Sequence, residues 1–110
     1  MDKNTDDLNK IKQIILDIIS KSGQKTVKII LFGSRASGKN NPNSDYDFLV
    51  LISETLSIER KMEISSLIRE KLASERVDAD IIIKSAAEAE IHKNYIGTIV
   101  REAFKEGIAI

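Results

Sequence analysis

The sequence contains no cysteine. Disulfides and thiolate metal sites are therefore excluded, and the composition fits a reducing cytoplasm, the expected location. Neither sign of charge is in excess, since 17 Lys and Arg balance 17 Asp and Glu. A neutral chain lacks the broad attraction that draws proteins to polynucleotides, so no direct nucleic-acid partner is expected. No apolar run approaches membrane-spanning length. The start, MDKNTDDLNK, is polar and acidic where a signal peptide is basic and then apolar. Membrane association is not expected either. Aromatics make up only 5%, so the core must be mostly Ile, Leu, Val and Ala. The one histidine, His92, lies in the polar segment IHKNY and reads as a surface residue without a catalytic task.

What is present suits one compact unit. A chain of 110 residues, 42% apolar, has the size of a single domain spanning 1–110, and it shows no repeat, low-complexity tract or linker. Leu8 to Ile19 places apolar residues at helical spacing, with Thr5 as cap, Asp6 and Asp7 in the first turn and Gly23 at the end. VKIILF, Val27 to Phe32, reads as a buried strand stopped by Gly33. Ser34 to Gly38 suits one helical turn, and Lys39 to Ser44 (KNNPNS) is a loop. Tyr46 to Ile52 reads as a second strand and Ser57 to Ala73 as a helix with Ile58, Met62, Leu67, Ile68 and Leu72 on one side. Val77 to Ile83 is expected to be a third strand, and Ala86 to Glu90 a helical turn. Tyr95 to Lys105 follows as a last helix capped by Gly107, its stripe Tyr95, Ile96, Ile99, Val100 and Phe104 assigned to the core. The final IAI suits an edge strand or core packing. This order predicts an α/β (α+β) fold, a small mixed sheet with helices packed on it.

The chemistry concentrates in GSRASGKNNPNSDYDFLV, Gly33 to Val50. Residues two apart on a strand share a face, so Asp45 and Asp47 point the same way. Two adjacent carboxylates repel unless a cation lies between them, and Mg²⁺ suits such hard oxygen ligands together with substrate phosphates. Upstream, Gly33 lets backbone approach a ligand, and the start of a helical turn with the Ser34 hydroxyl favours phosphate. The third strand, RVDADIIIKS, offers Asp78 and Asp80 on one face as a further ligand. Three acids holding two Mg²⁺ ions would stabilise both oxygens of an in-line displacement. Taken alone, Asp45 reads equally well as a turn residue and Asp47 as a solvated one. Arg35 suits a phosphate contact or an ion pair with a loop acid, and Lys84 a nucleotide contact or, the favoured reading, a solvated position.

Gly33-Ser34, ten residues, then Asp45-Tyr46-Asp47 resembles the G-S-x10-D-x-D pattern of the DNA polymerase β-type nucleotidyltransferase superfamily. The string GSRASG…SDYDFLV is similar to its minimal nucleotidyltransferase (MNT) branch, over residues 25–110. One departure is Ser37, where many relatives carry Arg. The resemblance implies the polymerase β-type fold, with Asp80 rather than Asp78 as third acid. It implies Asp45, Asp47 and Asp80 as catalytic metal ligands for Mg²⁺, and Gly33, Ser34 and Arg35 as contacts to the phosphates of ATP. MNT proteins are commonly paired with a helical HEPN protein, an RNA-cleaving toxin that the MNT antitoxin adenylylates on tyrosine. The implied function is AMP transfer from ATP to a cognate HEPN toxin. The alternatives are an antitoxin that masks its partner without catalysis, and a transferase for small molecules of the aminoglycoside type.

Overall fold

The computed structural model describes residues 3–38 and 45–110, with residues 3–6 described by backbone alone. The expected loop Lys39 to Ser44 lies outside the described residues. The elements run α1 (Lys3–Lys21), β1 (Thr26–Phe32), α2 (Ser34–Ser37), β2 (Tyr46–Ile52), α3 (Ile58–Ser74), β3 (Ala79–Ser85), α4 (Ala86–His92), α5 (Ile99–Glu106) and β4 (Ile108–Ala109). The strands form one mixed sheet in the order β3-β2-β1-β4. β1 is antiparallel to β2 and to β4, while β2 and β3 are parallel across the α3 crossover. The expected α+β architecture is therefore the observed one, and the terminal IAI does supply an edge strand.

The sheet has two unequal faces. On the first, Ile29 and Leu31 of β1, Phe48, Val50 and Ile52 of β2, and Ile81 and Ile83 of β3 pack against α1 and α3. On the second, Ile30, Phe32, Leu49 and Leu51 pack with the small buried residues Ala89 of α4 and Val100 and Ala103 of α5, and with half-buried Ile82. β2 is covered on both faces, which is why YDFLVLI reads as an almost unbroken apolar run.

Several boundaries differ from the sequence reading; among the smaller shifts, β1 starts at Thr26, β3 runs to Ser85 and α4 to His92. α1 begins at Lys3, so Thr5 lies inside the helix rather than capping it. α3 is capped by the Ser57 hydroxyl, which accepts from the Arg60 N–H, and buries Ile64, Ile68 and Leu72. Ile58 (71% exposed), Met62 (65%) and Leu67, assigned to that buried side, face outward. β3 starts at Ala79 because the preceding residues finish α3: Arg76 takes a left-handed φ of 62° and the Val77 N–H returns to the Leu72 carbonyl at 2.9 Å. α5 starts at Ile99, where the Thr98 hydroxyl accepts from the Arg101 N–H. Tyr95 and Ile96 precede the helix and are exposed, as are Ile99 and Phe104, so of the assigned stripe only Val100 is core, joined by Ala103. Gly107 ends α5 as expected, for a steric reason. A Cβ there would collide with the Ala103 carbonyl and the Ile30 side chain, and β4 could not return to β1.

Candidate active site

β1 delivers the chain to Gly33, which adopts φ 75° and ψ −157°, a conformation open essentially to glycine alone. Its carbonyl accepts from the Ala36 N–H at 3.1 Å and the Ser37 N–H at 3.2 Å, closing the short α2 turn, and Gly38 ends that turn in the left-handed region. The Ser37 hydroxyl donates to the Ser34 carbonyl at 3.1 Å, so this serine, standing where the resemblance expects arginine, is spent on holding the turn.

The β1–β2 register sets Phe32 opposite Asp47. Gly33 therefore sits directly beside the Asp47 carboxylate, and a Cβ on Gly33 would lie 2.5 Å from Asp47 Oδ2. On its other side Asp47 is register partner to Asp80 of β3. By strand alternation both carboxylates belong to the second face, which only the short helices cover. The Asp47 carboxyl is held above its ordinary range first by burial, then by the charges of Asp80, Asp45 and Glu102. The charges of three other carboxylates thus act on Asp47, and a divalent cation beside it would relieve that repulsion.

The candidates are not all equally engaged. Asp45 lies just before β2 and is exposed. It shares with Asp78, Asp80, Arg69 and Glu70 a concave space of about 570 Å³ between the start of β3 and the end of α3. Asp78 stands outside β3, and its backbone carbonyl is tied to the Tyr46 N–H at 3.0 Å. Asp80 is the one of the pair within the strand and in register with Asp47. Among the described residues, no three His, Cys, Asp or Glu side chains are drawn close enough to form a ready-made metal cage. Mutual repulsion of like charges opposes such closure, so the acids form an open set rather than a closed one. Arg35 stacks its guanidinium carbon 4.3 Å from the Tyr46 ring centroid, and that ring in turn stacks on Phe48 at 5.8 Å. Tyr46 belongs to the first face, so Arg35 lies across the sheet from Asp47.

Glu102, one helical turn into α5, was not singled out in the sequence. It follows buried Val100 by two positions, where any solvated glutamate could stand, and carries no motif. His92 ends α4, and its carbonyl accepts from the Thr98 hydroxyl at 2.9 Å, a structural part. Lys84 lies half-buried on β3 in a groove beside α3.

No described helix is long and apolar enough to cross a membrane. No curated protein matches the chain in sequence. Several solved structures match its fold. One is a toxin–antitoxin complex with AMP-PNP, 21% identical over 88% of this chain and 69% of that one, with a TM-score of 0.59. Another is the MntA–HepT toxin–antitoxin complex, 18% identical over 92% and 69%, TM-score 0.56. A third is the tri-AMPylated Shewanella oneidensis HEPN toxin in complex with MNT antitoxin, 20% identical over 92% and 66%, TM-score 0.53. The family model described as polymerase beta nucleotidyltransferase matches residues 9–108, nearly the whole sequence, including the Gly33 bend and Asp45, Asp47, Asp78, Asp80 and Glu102. On that match, and with the fold in agreement, the chain belongs to the polymerase beta nucleotidyltransferase family.

Proposed function

We propose that this protein transfers AMP from ATP to a hydroxyl, a tyrosine side chain, of a cognate HEPN toxin and thereby neutralises it. The observation that carries this reading is the placement of the Asp47 carboxylate between Gly33 and Asp80, at the end of a strand buried on both faces. That makes a rigid anionic point beside a bend that has no side chain of its own. Neighbours in the fold include one complex with AMP-PNP and one with an AMPylated HEPN toxin, which supports the choice of nucleotide and acceptor.

The donor set fits Mg²⁺: aspartate oxygens only, no nitrogen or sulfur, and a carboxylate whose ionisation is opposed by its neighbours. Asp45, Asp47 and Asp80 would hold it, and when bound it supplies positive charge against the triphosphate. Gly33 and the Ser34 hydroxyl hold the terminal phosphates, with Arg35 adding a positive charge to the same turn. Asp80 orients the acceptor hydroxyl and takes its proton. The hydroxyl oxygen forms a bond to the α-phosphorus, the bond from that phosphorus to the bridging oxygen breaks, and pyrophosphate leaves with the electron pair. Alignment and charge placement account for the rate.

The test is incubation with the partner toxin, ATP and Mg²⁺, followed by mass spectrometry of the intact partner. Addition of AMP is expected, and its absence with folded, metal-loaded protein overturns the reading. Asp45→Ala combined with Asp47→Ala separates catalysis from masking. If the variant no longer neutralises the toxin but still binds it, the acids act chemically.

A further inference from the structure

β3 is an edge strand, bonded to β2 on one side only. The Tyr46 N–H donates to the Asp78 carbonyl, which fixes the alternation: even-numbered residues of this segment turn their backbone groups to β2, odd-numbered ones outward. Two outward groups are already occupied. The Ile81 carbonyl accepts from the Ser65 hydroxyl at 2.8 Å, and the Ser85 N–H donates to Glu88 at 2.9 Å. The Ile83 N–H and C=O and the Ile81 N–H remain on the rim. Beside them runs a groove of about 310 Å³ that includes exposed Ile58 and Met62, small Ser65 and Ser66, and β3 residues 81–84. A strand edge of seven residues with no proline or bulge is a template for further pairing.

The sequence of that edge, ADIIIKS, is complementary to itself when reversed. We propose that β3 pairs antiparallel with β3 of a second copy of this chain about a two-fold axis at Ile82, joining the two sheets into one. Ile82 then faces Ile82 of the second copy. Across the axis each Ile81 N–H donates to the Ile83 carbonyl of the second copy, and each Ile83 N–H donates to the Ile81 carbonyl, whose second lone pair remains beside the one the Ser65 hydroxyl uses. Asp80 meets Lys84 of the second copy, and Lys84 meets Asp80, both at the closer, non-hydrogen-bonded positions where opposite charges interact directly. A one-residue slip breaks both Asp80–Lys84 pairs and sets outward-facing backbone groups of one copy against residues whose groups are turned to β2, so it is excluded. The two α3 helices approach through Ser65 and Ser66, whose small side chains permit it, with Met62 and Ile58 covered at the flanks. Since Lys84 of the second copy reaches Asp80, each copy contributes a cation to the other's acid site, and the dimer and a metal-loaded site compete for one carboxylate.

The test uses the whole chain without nucleotide or metal, so its outcome is independent of the proposed transfer reaction. Light scattering after size exclusion should show a mass that rises with concentration from monomer to dimer. Lys84→Asp, checked for folding by circular dichroism, should raise the dimer dissociation constant about tenfold or more by replacing two attractions with two repulsions. The doubly exchanged Asp80→Lys/Lys84→Asp should restore it. A monomer at all concentrations overturns the proposal, as does a dimer indifferent to Lys84→Asp or one that the double exchange fails to restore. A second variant needs no charge change. The chain has no cysteine, and Ile82→Cys should form an intermolecular disulfide rapidly on mild oxidation, since facing residues at such positions suit the bond. Failure to cross-link beyond the rate of an exposed control cysteine at Glu59 overturns the register.

Discussion

Gly33 and Asp47 impose opposite demands on the same few ångströms. The bend needs a residue without a Cβ, both for its backbone angles and because Asp47 Oδ2 occupies the space. Gly33→Ala is expected to cost about 1–3 kcal/mol from backbone strain, before the displacement of Asp47 is counted. Chemical denaturation of the two proteins measures this. Asp47 itself is held at a cost. Its folded-state pKa is raised above 3.8, so the fold favours its protonated form. The penalty is absent below the unfolded value and sets in as pH rises through the folded one, leaving it complete at neutral pH. Asp47→Asn should therefore melt at a higher temperature than wild type near pH 7 and lose that advantage in acid below 3.8. Thermal scans across pH decide this, and an unchanged melting temperature at pH 7 contradicts it.

At the scale of elements, legibility depended on how many readings a pattern allowed. YDFLVLI was legible as a buried strand from its near-unbroken apolar run, whereas D-x-D at its start also allowed a turn residue at Asp45, which does lie before the strand. α3 was ambiguous because apolar residues occupy two of its sides. Ile58 and Met62 share one, Ile64, Ile68 and Leu72 another, and periodicity alone does not say which faces the sheet. Val77 looked like the start of a strand, but its N–H closes the end of α3, a contact settled by Arg76 turning left-handed. Tyr95 and Ile96 were in phase with α5, yet the helix starts where the Thr98 hydroxyl can cap it. Glu102 was invisible because its charge bears on Asp47 only once α5 folds onto the second face. The corrected α3 face has a direct check. Ile64→Ala should cost about 2–5 kcal/mol, against roughly 0.5 or less for Met62→Ala in dilute protein. Equal losses would mean that the helix is rotated.

A second element-scale prediction concerns the clamp between α3 and α4. Lys61 donates to Glu88 at 2.6 Å, and Glu88 also completes a capping box with Ser85. Burial alone would raise the Glu88 pKa, but the hydrogen bond from Lys61, the Ser85 N–H and the charges of Lys61 and Lys84 outweigh it, and the net shift is below 4.5. A lowered carboxylate stabilises the fold fully above its unfolded value and progressively less as pH falls through the folded one. Glu88→Gln should cost about 1.5–3 kcal/mol at neutral pH, and the difference from wild type should shrink as the pH is taken below 4.5. Urea titrations at two pH values measure it, and a pH-independent gap would assign the loss to packing instead.

For the molecule as a whole, the asymmetry of the sheet matters most. One face is closed by helices of 19 and 17 residues, the other by helices of 7 and 8 whose buried contribution is Ala89, Val100 and Ala103. Burying small side chains stabilises less, by roughly 0.8 kcal/mol per methylene absent. The thin cover is therefore the part that opens at the lower free energy, and amide protons of α4 and α5 should exchange with deuterium sooner than those of α1 and α3. The acids of the site lie on that loosely roofed side. A ligand that bridges β2 and the α5 side would act as a latch, and its occupancy could be followed, without any chemistry taking place, as slower deuterium uptake along those two short helices.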